Sequence, residues 1–124
     1  MKGVFVTKAK IVNEDARRKL IEIENGQIAI RNFKILDVKE DSYLGGHWHV
    51  YKEVMYVMRG KVHNYEMKNI DTGESERFEL EEGDIVFRTG RIVHGGDFEK
   101  GCIIIDGAED SYVSRDFNDI QEEK

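Results

Sequence analysis

Apolar and polar positions alternate with a period of two along most of this chain, which is the spacing of a β-strand and not of a helix. Residues 4–12 alternate loosely, and residues 28–35 do so with a shift of face near Asn32. Residues 61–67 and 77–80 alternate again, and Ile85-Val86-Phe87 is a short apolar run. Asp71-Thr72-Gly73 and Glu82-Gly83-Asp84 read as turns. A further short strand is expected between Gly95-Gly96 and Gly101. Short strands at close spacing with glycine turns predict an all-β sandwich or barrel. Residues 15–23 carry good helix formers but also suit a turn into a strand. The acidic tail, residues 110–124, predicts a short turn of helix or a frayed end. No repeat, low-complexity tract or linker interrupts the pattern.

Residues 54–58 (Val-Met-Tyr-Val-Met) break the alternation with a continuous apolar run. If Met55 and Val57 share the inner face with Glu53, then Val54, Tyr56 and Met58 point outward, and so do Trp48 and Val50. Such a face needs cover. The N-terminal strand within the monomer and a second copy are both able to supply it. Twofold pairs are the commonest assembly, so a homodimer is expected.

The length of 124 residues allows one domain with one core. Lys and Arg total 19 against 25 Asp and Glu, a net charge of -6, which argues against a nucleic-acid grip. The basic run at residues 16–19 is short and sits among acids. The N-terminus does not resemble a signal peptide, and no apolar stretch approaches the roughly 20 residues of a membrane span. The single cysteine, Cys102, lies in an apolar run and reads as a buried small hydrophobe. These features point to the cytoplasm. Proline is absent, so the 12 glycines carry most of the turns.

The candidate chemistry begins at His47-Trp48-His49. Histidines two apart on a strand project to one face, and Glu53 keeps that parity if the strand runs on. With His94 arriving from another strand, three imidazoles and a carboxylate would suit one divalent transition metal: Mn, Fe, Co, Ni, Cu or Zn. Two open positions on an octahedral ion would allow Lewis-acid or redox chemistry. The plainer alternative is a set of structural histidines bonded to neighbours. His63, on an alternating strand, reads as structural. Tyr43 either lines the mouth of the site or simply packs.

The spacing His47-x-His49, Glu53, Gly60 resembles the first motif of the cupins, and Gly83 to His94 resembles the second. Thr89 and Arg91 stand where proline and glycine are usual, and Phe98 where the second motif ends in asparagine. The resemblance implies a double-stranded β-helix, a jelly-roll barrel with the site in its mouth. It also implies a single cupin domain over residues 1–124, with N-terminal strands in 1–40, motifs at 45–60 and 83–94, and the acidic tail. The metal ligands would be His47, His49, Glu53 and His94.

A narrower resemblance is to the nucleotide-sugar 3,4-ketoisomerase cupins. It rests on Asp15-Ala16-Arg17-Arg18-Lys19-Leu20, on Leu44-Gly45-Gly46-His47-Trp48-His49 and on residues 110–117. Arg18 replaces a glycine of that pattern, Leu44 an arginine that would help hold an anionic substrate, and Trp48 a small alanine. In that group the paired histidines are acid and base, so His47 and His49 would shuttle protons between sugar carbons without a metal. The four-ligand reading needs fewer substitutions and leads: a metal-dependent isomerase or oxygenase acting on a small polar or anionic molecule. The ketoisomerase is the first alternative, and a non-catalytic module that binds a small ligand is the second.

Overall fold

The computed structural model describes residues 1–23, 28–49 and 51–110. Eleven strands run in chain order: β1 (Val4–Lys8), β2 (Lys10–Glu14), β3 (Lys19–Glu22), β4 (Asn32–Asp37), β5 (Ser42–His47), β6 (Glu53–Arg59), β7 (Lys61–Asn69), β8 (Ser75–Glu81), β9 (Asp84–Arg88), β10 (Ile92–Phe98) and β11 (Ile103–Ala108). Among the described residues no helix is long and apolar enough to cross a membrane. The expectation for residues 111–124 lies outside the described residues, as does that for Val50.

Two antiparallel sheets face each other, ordered β1-β9-β6-β11-β4 and β5-β10-β7-β8, with a separate β2-β3 hairpin. This is the all-β jelly roll of a double-stranded β-helix. Alternation fills the space between the sheets. Met55 and Val57 of β6, Val62 and Met67 of β7, Val86 of β9 and Ile104 of β11 form one buried core. Val54 and Tyr56 point the other way. They pack with Ile28 and Ile85, flanked by Ile21, Ile23 and Ile30. Residues 54–57 are thus apolar on both faces because both faces are covered, while Met58 at the end of the run is exposed.

Several expectations are corrected. The chain itself covers Val54 and Tyr56, through residues from its N-terminal third, so no second copy is needed there. Residues 15–23 form a turn and then β3, because the Asp15 carboxylate accepts the N–H groups of Arg17 and Arg18 and closes the turn. The strand expected over 28–35 begins only at Asn32. Gly95 and Gly96 lie inside β10 and do not bound a strand. A Cβ at Gly96 would sit 2.9 Å from the Tyr65 Cα, so the close approach of β7 excludes a side chain. Trp48 is not on a strand and is buried.

One irregularity positions the site. Leu44 and His47 are an odd number of residues apart, so a regular strand would turn them to opposite faces. Both line the same interior cavity. Gly45 and Gly46 adopt φ of 109° and 79°, and the β5–β10 register shifts between His94 and Gly95. This bulge re-aims His47 inward. Gly45→Ala would place a Cβ 2.5 Å from the His94 carbonyl oxygen, in a backbone region hostile to side chains. The expected outcome is a loss of about 1–3 kcal/mol in urea denaturation. A stability equal to the parent's would refute the bulge argument.

Candidate active site at the histidine cluster

His47 ends β5, His94 lies on β10, and the two are register partners. His49 sits in the connection that leaves β5 and crosses to β6 in the opposite sheet. His47, His49 and Glu53 therefore do not share one strand, as the alternation suggested. The crossing of the chain between sheets brings them together. Ring centroids are 4.7 Å apart for His47 and His49, 4.8 Å for His47 and His94, and 5.7 Å for His49 and His94. One ring nitrogen from each lies within 4.8 Å of the others.

Two of the rings are held from behind. The Nδ1 of His94 is 3.0 Å from the Ile92 carbonyl oxygen. A carbonyl only accepts, so this Nδ1 carries the proton and Nε2 keeps its lone pair. Burial pushes the His94 pKa well below its usual value, and the nearby Arg88 charge adds to the effect. His49 stacks on Tyr51 at 5.0 Å, and its Nδ1 is 3.3 Å from the tyrosine hydroxyl.

Below the histidines lies a cluster of charged and polar groups that the sequence reading did not find. Arg88 is 3% exposed. It donates to the Tyr65 hydroxyl at 2.8 Å and lies 3.5 Å from Glu53 and 3.8 Å from Asp106. Burial alone would lower the pKa of Arg88, but Tyr65, Glu53 and Asp106 outweigh burial and hold it above its ordinary value. Burial raises the Asp106 carboxyl to about 6, with Arg88 opposing. A cavity of about 90 Å³ is bounded by His47, His94, Arg88, Asp106 and Tyr65 on its polar side. A signal for Arg88 was present in the alternation: Asp84, Val86 and Arg88 share one face of β9, and Val86 is core.

The three imidazoles suit a divalent ion by chemistry and spacing. Glu53 is placed differently. Its Oε2 is 3.9 Å from the His49 Nε2 and 3.5 Å from the Arg88 guanidinium. Glu53, expected as a fourth ligand, is not in the group whose donor atoms all lie within 4.8 Å of one another, and its carboxylate faces a buried cation. Tyr43 is exposed on the outer face of β5, away from the mouth.

No family model and no curated protein matches this chain. Solved structures do. QdtA, a sugar 3,4-ketoisomerase from Thermoanaerobacterium thermosaccharolyticum in complex with TDP, is 23% identical with a TM-score of 0.77, over 99% of this chain and 95% of that one. The WlaRB TDP-quinovose 3,4-ketoisomerase from Campylobacter jejuni is 18% identical with a TM-score of 0.79, over 98% and 99%. The RmlC epimerase of Mycobacterium tuberculosis is 12% identical with a TM-score of 0.78, over 93% and 67%. The chain has the cupin fold, of the form seen in RmlC-like proteins.

His63 stands apart from the cluster. It bridges Glu79 on β8 and Glu99 beyond β10, at 3.1 Å from the first and in a short contact with the second. The hydrogen bond to Glu99 chiefly raises its pKa above 6.5, loss of water around the ring is the next effect and opposes it, and Glu79 adds to the rise. A base with a raised folded pKa stabilises fully below its unfolded pKa and loses that contribution as pH climbs through the folded value. His63→Phe is therefore expected to melt below the parent at about pH 6 and to approach it by about pH 9. Thermal midpoints at both pH values check this, and a gap independent of pH would count against it.

Proposed function

We propose that this chain is a cupin isomerase that moves a carbonyl between adjacent carbons of a nucleotide-linked keto sugar. The observation that carries the reading is the convergence of three imidazoles, two of them lining one cavity, with the Nε2 of His94 able to accept a proton. Similarity of fold to TDP-sugar 3,4-ketoisomerases over nearly the whole chain supports it. It is the metal-free alternative of the sequence reading that these comparisons favour.

The chemistry needs no oxidant. A base removes the C–H proton from the hydroxyl-bearing carbon next to the carbonyl while the carbonyl oxygen takes up a proton, and the electron pair forms the C=C bond of an enediol. A proton then returns at the former carbonyl carbon while the hydroxyl proton of its neighbour leaves. Two imidazoles on neighbouring walls are able to serve the two carbons, as base and then acid. His47 and His49 take these roles in the resemblance, and His94 is equally placed.

Incubation with TDP-4-keto-6-deoxyglucose in D₂O, followed by NMR, tests this. The expected result is a shifted carbonyl and solvent deuterium on carbon, surviving exhaustive chelation, with His49→Asn slower by about 10²–10⁴-fold. Loss of turnover on chelation, restored by one metal, would replace this reading with the metal enzyme. Binding without product over long incubation would replace it with a ligand-binding module.

The same reading takes the chain as a homodimer. Phe5, Phe33 and Ile35 stay exposed on the outer face of the five-stranded sheet, beyond the part the chain covers itself. Sedimentation is expected to give a dimer, and Phe33→Glu with Ile35→Glu a monomer. A monomeric parent at micromolar concentration would remove this assignment.

A further inference from the structure

We propose that Arg88 keeps the histidine cluster from binding metal by holding Glu53 and by setting a permanent positive charge on the wall of the same cavity. One carboxylate oxygen makes the case. The Oε2 of Glu53 lies 3.9 Å from the His49 Nε2 and 3.5 Å from the guanidinium. That oxygen is the donor a metal on the three imidazoles would draw in as its fourth ligand. Here it faces a permanent cation instead.

The guanidinium cannot easily step aside. Glu53 and Arg88 are register partners on β6 and β9, so the sheet fixes their neighbourhood. Tyr65 anchors Arg88 from the opposite sheet at 2.8 Å, and Asp106 of β11 lies 3.8 Å away. Arg88 is buried, so salt and water screen its charge poorly. Three imidazoles alone are able to hold zinc in other sites, but a guanidinium beside them repels a dication and removes the carboxylate that would offset its charge. Arg88 therefore decides which chemistry this site performs, without itself being an acid, a base or a ligand. The inference does not rest on the sugar-isomerase reading, because its test is metal binding and not turnover.

The probe is Co²⁺, followed by calorimetry and by its visible absorption. The native protein and Glu53→Gln are expected to bind it equally weakly, because Glu53 is not a ligand while Arg88 holds it. Removing the cation together with one acid it offsets, in Arg88→Met with Asp106→Asn, is expected to raise Co²⁺ affinity by roughly 10–100-fold. Adding Glu53→Gln to that variant is expected to abolish the gain. Circular dichroism checks that each variant is folded. Tight stoichiometric Co²⁺ binding by the native protein, lost in Glu53→Gln, would overturn the proposal. So would a folded Arg88 variant with unchanged affinity. The comparison of the native protein with Glu53→Gln decides the question even if no Arg88 variant folds.

Discussion

The interior of this barrel is organised by one buried guanidinium. Arg88 reaches from the five-stranded sheet to the hydroxyl of Tyr65 on the four-stranded sheet, and it engages acids on the adjacent strands β6 and β11. A charge taken out of water at this depth is tolerated only where partners offset it, and removing one partner leaves the others exposed to the same penalty. The three-way engagement therefore ties β6, β7, β9 and β11 to one geometry. It divides the space between the sheets into an apolar end around Val57 and Val62 and a polar end beneath the histidines.

A second constraint is steric and lies in the backbone. His47 faces inward only because Gly45 and Gly46 absorb one residue of register, and β10 bends to meet them. Gly95 and Gly96 extend the same requirement into β10, where side chains would strike Tyr43 and the Tyr65 backbone. The glycines on both strands thus let two sheets carrying bulky aromatics close tightly enough for His47 and His94 to face each other.

Much of this was legible from residue order. The period of two marked most strands, and the double apolar run at 54–58 announced a strand covered on both faces. The spacing of His47, His49 and His94 identified the cluster. What failed did so for physical reasons. Parity placed Glu53 on the histidine strand, but the chain leaves β5 after His47 and reaches Glu53 in the other sheet, so convergence is a product of topology. The glycine pair at 95–96 looked like a boundary because glycine usually marks turns, and here it marks a close approach between strands. Arg88 and Asp106 escaped notice because long charged residues normally stay in water. Only the apolar company they keep on one face, Val86 for Arg88 and Ile104 for Asp106, shows that they point inward.

The placement of Arg88 has two consequences for the imidazoles above it, and both follow from the sign of its charge. Together with burial it lowers the pKa of His94, because a second cation nearby is unfavourable. A neutral imidazole with its Nδ1 proton committed to the Ile92 carbonyl is a proton acceptor at its remaining nitrogen. The field that disfavours an imidazolium disfavours a metal ion at least as strongly, since the ion carries more charge. On the proposal made above, the ring nitrogens that would coordinate a cation in the absence of Arg88 are left as bases in its presence. The same three-histidine geometry would then support two different chemistries, with an arginine that touches none of the reacting atoms selecting between them.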